Sequence, residues 1–410
     1  MGKKAFYKGL LFRELYFSGH LSCADLSERI GKSIPFTMKV LMELIAEGYI
    51  KESGYAPSSG GRRPVTYSII PDTIYIVSVA MDQLVTRISI MDSENRHISD
   101  VKKFELPLLN NPGAPSQLAD RIIEVIAESG IDKKKIMGVG IGMPGFIDFK
   151  KGINYSFLES KPKTITQYLS EKIELPVYID NDSSLIALAE FRFGAARHRK
   201  NAMVVNISWG IGLGMILNGE LFRGQNGFAG EFSHMPFFNN NKLCVCGKSG
   251  CLETEASLVV VVEKAAEGLR AGRLSGVGKQ FPTGHIENDW ESIVKAVYKG
   301  DQFVVELLSE TGYNIGKGVA ILIHLMNPEA VILSGRGALA GKVWQAPIQQ
   351  ALNEHCIPRL SANTVVEISD LGHDAELIGS AALVMENRVK EYSGSIKKKH
   401  SKTDSKIVAT

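Results

Sequence analysis

No stretch of this chain approaches the ~20 consecutive apolar residues needed to cross a bilayer. Its opening, Met1-Gly2-Lys3-Lys4-Ala5-Phe6, lacks the apolar core and small-residue cleavage site of a secretory signal. Both absences lead to the expectation of a cytoplasmic protein with no membrane partner. Cysteine is scarce as well, five in 410 residues, and does not form the even-numbered framework of a disulfide-rich secreted domain. Net charge is only +3, so no overall field of one sign draws in a polyanion. With 44% apolar residues, the length allows two or three domains, each with its own core.

The small net charge hides an uneven distribution. Residues 1–70 hold ten Lys/Arg against six Asp/Glu, and residues 388–410 hold seven against two, which leaves the intervening body acidic. A basic head on an acidic body implies that a polyanion meets the head alone. The tail, 391–410, with Lys397-Lys398-Lys399-His400 followed by Ser, Thr, Asp and Lys, reads as a solvated disordered end.

Three of the five cysteines fall in one window, where Glu231, His234, Cys244, Cys246, Cys251 and Glu253 lie close together. Three thiolates and one imidazole (His234, Cys244, Cys246, Cys251) make a set for tetrahedral Zn²⁺, and Gly247, Gly250 and the asparagines at 239–241 let the backbone bend around an ion. A disulfide or unconnected buried thiols are the alternatives, but cysteines this close have little room to bridge. Four protein ligands leave no open position, so the expected zinc is structural and its product is geometry around Glu231, His234 and Glu253.

The head predicts three short helices. Apolar spacing over 5–18 stops at Ser18-Gly19; a second helix opens at Ser22 with Asp25 as a capping box and ends at Ile30-Gly31; a third starts near Ser33 with Pro35 in its first turn and runs to Gly48. Two strands, Tyr49–Glu52 and Val65–Ile69, flank a turn-rich tip with Arg62 and Arg63. The expected fold here is an α+β winged helix-turn-helix. Ser33, Phe36, Thr37 and Lys39, near the start of the third helix, would face the major groove, and Arg62 and Arg63 the narrow minor groove. Operator DNA is the expected partner, although three-helix units also serve as protein-docking modules.

From residue 71 to 390, β-rich segments alternate with helices: a hairpin over 74–91, a helix over 116–129 and a strand over 136–141. The pattern recurs with strands at 202–207 and 212–217, helices near 255–270 and across 302–326, and a strand at 330–333. Strands followed by helices, given twice, predict two α/β lobes facing a ligand cleft.

Several stations of this body resemble the ROK family (repressors, open reading frames and sugar kinases). They are Gly142-Met143-Pro144-Gly145, Asn181-Asp182 after Pro176-Val177, Asn218-Gly219-Glu220 leading to Gly230-Glu231-Phe232-Ser233-His234, and Cys244-Val245-Cys246-Gly247 with Gly250-Cys251-Leu252-Glu253. The resemblance implies an actin/hexokinase-like (ribonuclease H-like) two-lobed fold, a structural zinc on the four residues named above, and a sugar contacted by Asn181, Asp182, Glu231, His234 and Glu253. Carboxylates and an amide suit hydroxyls, which donate and accept at once. In the family's kinases the position of Asp182 is the base that takes the sugar proton. It sits at the start of a helix expected over 183–194, whose positive end favours the charged form.

The family's kinases also carry an Asp-x-Gly-Gly-Thr phosphate loop, and here that stretch reads Ala80-Met81-Asp82-Gln83-Leu84. The acid and the glycines are gone. Later glycine loops persist as Ser208-Trp209-Gly210-Ile211-Gly212 and Ser334-Gly335-Arg336-Gly337. The resemblance therefore implies a repressor sensing a sugar or sugar phosphate, with Asp182 vestigial as a base and no enzyme activity. A homodimer is expected, since paired half-sites need two heads. An ATP-dependent sugar kinase with an added DNA-binding head is the alternative; a zinc-stabilised docking module fits the polar cleft residues less well.

Overall fold

The computed structural model describes residues 3–57, 63–278 and 280–388. By its internal contacts the chain divides into two compact units, one built on residues up to Asn181 with the chain from Ser380 onward, the other on Asp182–Gly379. The expectation for 391–410 lies outside the described residues.

The first unit opens with α1 (Lys3–Ser18), β1 (Leu21–Ser22), α2 (Cys23–Arg29), α3 (Ile34–Ala46), β2 (Ile50–Tyr55) and β3 (Val65–Ile69). Ser22 accepts from Asp25 N–H while the Asp25 carboxylate takes the Ser22 N–H, so the capping box read from the sequence starts α2. Pro35 occupies the first turn of α3, where a missing N–H costs nothing, and Val40, Leu41 and Leu44 form its buried stripe. Full burial of Leu41 and Leu44 contributes roughly 1.5–3 kcal/mol each. The strands form an antiparallel sheet in the order β1-β3-β2, with Leu21 opposite Tyr67 and Ile50 opposite Ile69. The two-residue β1 is too short to carry a periodicity and was not expected.

The rest of this unit is a five-stranded sheet with two helices: β4 (Tyr75–Met81), β5 (Val85–Asp92), β6 (Lys102–Glu105), α4 (Ala114–Ser129), β7 (Ile136–Met143), the short pair β8 (Ile147–Asp148) and β9 (Ile153–Asn154), α5 (Ile165–Ile173) and β10 (Val177–Asn181). Sheet order is β10-β7-β4-β5-β6; β4 pairs antiparallel with β5 and parallel with β7. Val77, Val79, Ile88 and Ile90 pack with Leu118 and Ile122 of α4 and Leu169 of α5 into one core. The chain returns to this unit through a helix over 375–388, where the Ser380 hydroxyl donates to the Val79 carbonyl at 2.9 Å.

The second unit repeats the plan. It contains α6 (Asp182–Phe193), β11 (Ala202–Ile207), β12 (Ile211–Leu217), β13 (Glu220–Phe222), α7 (Glu253–Ala256), α8 (Leu258–Arg270), α9 (Ile286–Tyr298), α10 (Gln302–Met326), β14 (Ala330–Ser334), α11 (Gln345–His355) and β15 (Val365–Ile368). Its sheet runs β13-β12-β11-β14-β15, again an antiparallel pair continued by parallel strands. Val205, Ile207, Phe232, Leu252, Val319, Leu333 and Trp344 belong to one core, so the loops at the strand ends are seated on packed apolar material. Among the described residues no helix is long and apolar enough to cross a membrane.

Candidate ligand site and metal cluster

The cysteine window folds as the sequence spacing predicts. Donor atoms of His234, Cys244, Cys246 and Cys251 all lie within 4.8 Å of one another. Cys244 Sγ is 3.5 Å from His234 Nδ1, and Cys246 Sγ is 3.6 Å from Cys251 Sγ. Tetrahedral Zn²⁺ at its usual bond lengths sets neighbouring donors about 3.5–3.7 Å apart, the separation of these two pairs, so the group could hold one ion. Burial, then hydrogen bonds with the other two thiols, pushes the Cys251 thiol up to about 12, which a bound cation would reverse. The backbone prepares this site: Cys244 N–H donates to Lys248 at 2.8 Å, and at Gly250 (φ +77°) a Cβ would lie 2.1 Å from the Phe238 carbonyl oxygen. Cys23 and Cys356, read as ordinary buried thiols, are buried and free.

His234 faces two ways. Its Nδ1 lies at the thiols, and its Nε2 is 3.7 Å from Glu231 Oε2. Glu231 is held by its neighbour: Gly230 has φ +104°, and a Cβ there would sit 2.2 Å from the Leu213 carbonyl of β12. Glu253 starts α7, and its Oε2 accepts from Ile211 N–H at 3.3 Å. Loss of water pushes the Glu231 carboxyl up, with Glu253 adding to the shift and His234 opposing it.

Asp182 is the first residue of α6. Its Oδ1 accepts from Ser183 N–H at 2.7 Å and from the Ser183 hydroxyl at 3.2 Å. Burial nevertheless raises its pKa to about 6, with the Glu231 charge adding and the Arg336 charge opposing. The helix end favours the anion, as the sequence leads one to expect, and removal from water opposes it. Asp182, Glu231, His234 and Glu253 all belong to the second unit. Asn181 closes the first unit, where its Nδ2 donates to the Gly145 carbonyl at 3.3 Å.

The three loops singled out in the sequence take distinct forms. In the first, Asp82 Oδ1 accepts from Leu84 N–H (2.8 Å) and Val85 N–H (2.7 Å), so a side chain of the loop caps its own amides. In the other two, Arg336 lies 4.8 Å over the Trp209 ring and donates to the Ser208 hydroxyl at 3.0 Å. Sequence reasoning saw only weak glycine runs there and missed Arg336, a nearly buried cation close enough to influence Asp182.

In the head, Ser33, Lys39 and Arg63 are exposed, and Arg62 lies outside the described residues. Thr37 must be withdrawn from the groove-facing set. It is fully buried, and its hydroxyl donates to the Ser33 carbonyl at 3.1 Å, because it shares a helical face with Val40, Leu41 and Leu44. Phe36 is half-buried, edge-on to Tyr7 with ring centres 5.0 Å apart. Lys4 and Lys8 are ion-paired with Glu43 and Glu47, so the basic surface available to a polyanion is narrower than the charge count suggests, resting on residues such as Lys32, Lys39, Lys51 and Arg63.

A xylose repressor from Caldicellulosiruptor bescii is 27% identical over 407 residues, covering 93% of this chain and 96% of its own. A glucokinase from Halalkalibacterium halodurans is 30% identical over 290 residues, 69% of this chain and 88% of its own. Among solved structures, a ROK family transcriptional regulator described as a homolog of the E. coli MLC protein superposes with a TM-score of 0.74 at 23% identity, covering 94% of this chain and 96% of that one. A ROK family glucokinase from Streptomyces griseus, in complex with glucose and AMPPNP, gives 0.66 at 26% identity and covers 75% and 98%. The body has their hexokinase-like fold. The ROK family model matches residues 85–387, and with most of the sequence so accounted for, the chain belongs to the ROK family.

Proposed function

We propose that this chain is a sugar-responsive transcriptional repressor, cytoplasmic and homodimeric, with residues 1–70 as the DNA-reading head and 71–390 as the sensing body. One observation carries the reading. A head with a capped two-helix turn and a three-stranded sheet is joined to a ROK-family body, and the xylose repressor aligns with 93% of the chain where the glucokinase aligns with 69%.

In this reading Ser33, Phe36 and Lys39 approach base edges and phosphates in the major groove, and Arg62 and Arg63 enter the minor groove. Asn181, Asp182, Glu231, His234 and Glu253 bind the hydroxyls of a sugar or sugar phosphate. Zn²⁺ on His234 Nδ1, Cys244, Cys246 and Cys251 is structural: it fixes the imidazole so that Nε2 stays aimed beside Glu231. The sugar must prefer the arrangement that cannot hold DNA, since equal affinity for both states shifts nothing. The self-capped turn at Asp82 supports a body that does not transfer phosphate.

A second reading, an ATP-dependent sugar kinase with a DNA-binding head, is favoured by the glucokinase likeness and by Asp182, whose pKa near 6 suits a general base. Gel retardation of DNA from upstream of the chain's own gene, run beside a coupled assay of hexoses with ATP, separates the two. Retardation relieved by a sugar, without turnover, supports the repressor. Turnover of a hexose with ATP that Asp182→Asn abolishes supports the kinase, whether or not the head retards the DNA.

A further inference from the structure

We infer that Trp209 and Arg336 form a built-in plug over the carboxyl ends of β11 and β14, which lets the second unit hold a sugar at its carboxylates while excluding a nucleotide's phosphates. The inference rests on the reading of the body as a sugar sensor and deepens it by naming what separates sensing from phosphoryl transfer.

The place is defined by topology. Strands β11 and β14 are parallel neighbours whose last paired residues are Asn206 and Ser334. Beyond them the chain turns through Ser208-Trp209-Gly210 and Gly335-Arg336-Gly337. In α/β sheets, anionic ligands sit outside the carboxyl ends of parallel strands, against the amides of glycine turns. The S. griseus relative, alike in fold and holding AMPPNP with glucose, has a body able to take both molecules.

In this chain two large side chains meet at the strand ends. The Arg336 guanidinium lies 4.8 Å over the Trp209 ring, donates to the Ser208 hydroxyl at 3.0 Å and pairs with Glu287 at 3.4 Å, and its side chain is only 9% exposed. The loop backbone is held too. Trp290 Nε1 donates to the Arg336 carbonyl at 3.3 Å, and Trp344 Nε1 to the Gly337 carbonyl at 2.8 Å. Two amides of the first turn are already in use: Ser208 N–H donates to the Gly210 carbonyl at 2.9 Å, and Ile211 N–H to the Glu253 carboxylate at 3.3 Å.

Charge points the same way. A buried arginine beside glycine amides could receive a phosphate, since guanidinium and phosphate pair well. Here Glu287 already neutralises it, and Glu253 adds a second carboxylate at the neighbouring turn. An entering phosphate would have to displace Glu287, lose the indole contact and settle beside Glu253. A neutral sugar faces none of these obstacles, because carboxylates are its natural partners.

The test uses the full-length chain with ADP as the probe, which requires neither the first hairpin's loop nor a transferable phosphate. Saturation-transfer NMR is recorded for wild type, for W209G/R336A and for W209G, with thermal melts and DNA retardation on the same samples. Wild type is expected to give no saturable ADP signal at millimolar concentration, and W209G/R336A to bind about tenfold tighter or better. Should the double variant lose its cooperative melt, W209G alone, which keeps the Arg336–Glu287 pair, is expected to gain at least about threefold, the lower bound for one cation–π contact. Saturable ADP binding by the wild type overturns the plug. So does a well-folded W209G/R336A that binds ADP no better than wild type. Loss of DNA retardation in the wild type strikes the repressor reading alone and leaves the plug standing.

Discussion

Replacing Asp182 with asparagine sets stability against function in a direction that the structure fixes. The Asp182 carboxyl titrates near 6 in the folded chain, against 3.8 for an ordinary aspartate. Because the folded value is the higher one, the stability tied to this group is complete below about pH 4 and is lost as pH rises through about 6. At pH 8 the ionised side chain therefore costs the fold on the order of 2–3 kcal/mol. Asparagine has the same shape, cannot ionise, and keeps an oxygen to accept the Ser183 N–H bond now 2.7 Å long. Asp182→Asn should thus raise the unfolding midpoint at pH 8, with the gain shrinking to nothing near pH 4. Sugar-driven release of DNA should fail in the same variant, because the amide replaces half of a bidentate acceptor with a donor. Urea melts of both proteins from pH 4 to pH 8 supply the comparison. A variant less stable than wild type at pH 8, or a gain that does not change with pH, would refute the assignment of Asp182 as a half-buried carboxylate held for a ligand.

The remaining predictions address the metal, the head and the sugar site. Cys246→Ala should lose one equivalent of zinc by elemental analysis and lower the melting midpoint, because metal-binding free energy is folding free energy here. Arg62→Ala combined with Arg63→Ala should weaken DNA binding and flatten the plot of log affinity against log salt by about two, and Lys39→Ala by about one. Thr37→Ala should cost about 1 kcal/mol of stability through its buried hydroxyl bond, while DNA affinity of the folded fraction stays unchanged; a loss of affinity without a loss of stability would return Thr37 to the groove.

Much of the architecture was legible because local signals and packing agreed. The Ser22–Asp25 capping box, the Pro35 helix start and the continuous apolar pattern over 302–326 each demanded one local structure, and each is present. The His/Cys cluster was legible for a similar reason: ligand chemistry and short spacing restrict what such residues can do. Thr37 was misplaced because position near a helix start was weighed without its face. Its offset of three, four and seven residues from Val40, Leu41 and Leu44 puts it in the apolar stripe. Helices α9 and α11 were not read, although Trp290, Ile293 and Ala296, and Ile348, Ala351 and Leu352, stand at helical spacing. Arg336 lay beyond sequence reading altogether. Its partners Trp209, Ser208 and Glu287 are 49 to 128 residues away, and only the neighbouring strand ends bring them together.

The most direct measurement is fluorescence anisotropy of a labelled fragment from upstream of the chain's own gene, titrated with the protein at low salt against a panel of sugars and sugar phosphates. A sugar-sensing repressor binds the fragment with a steep salt dependence. One member of the panel then releases the wild type but not Glu253→Gln, which still binds DNA. No binding at low salt, or binding that no sugar alters, would contradict the coupling of a DNA-reading head to a hydroxyl-reading body.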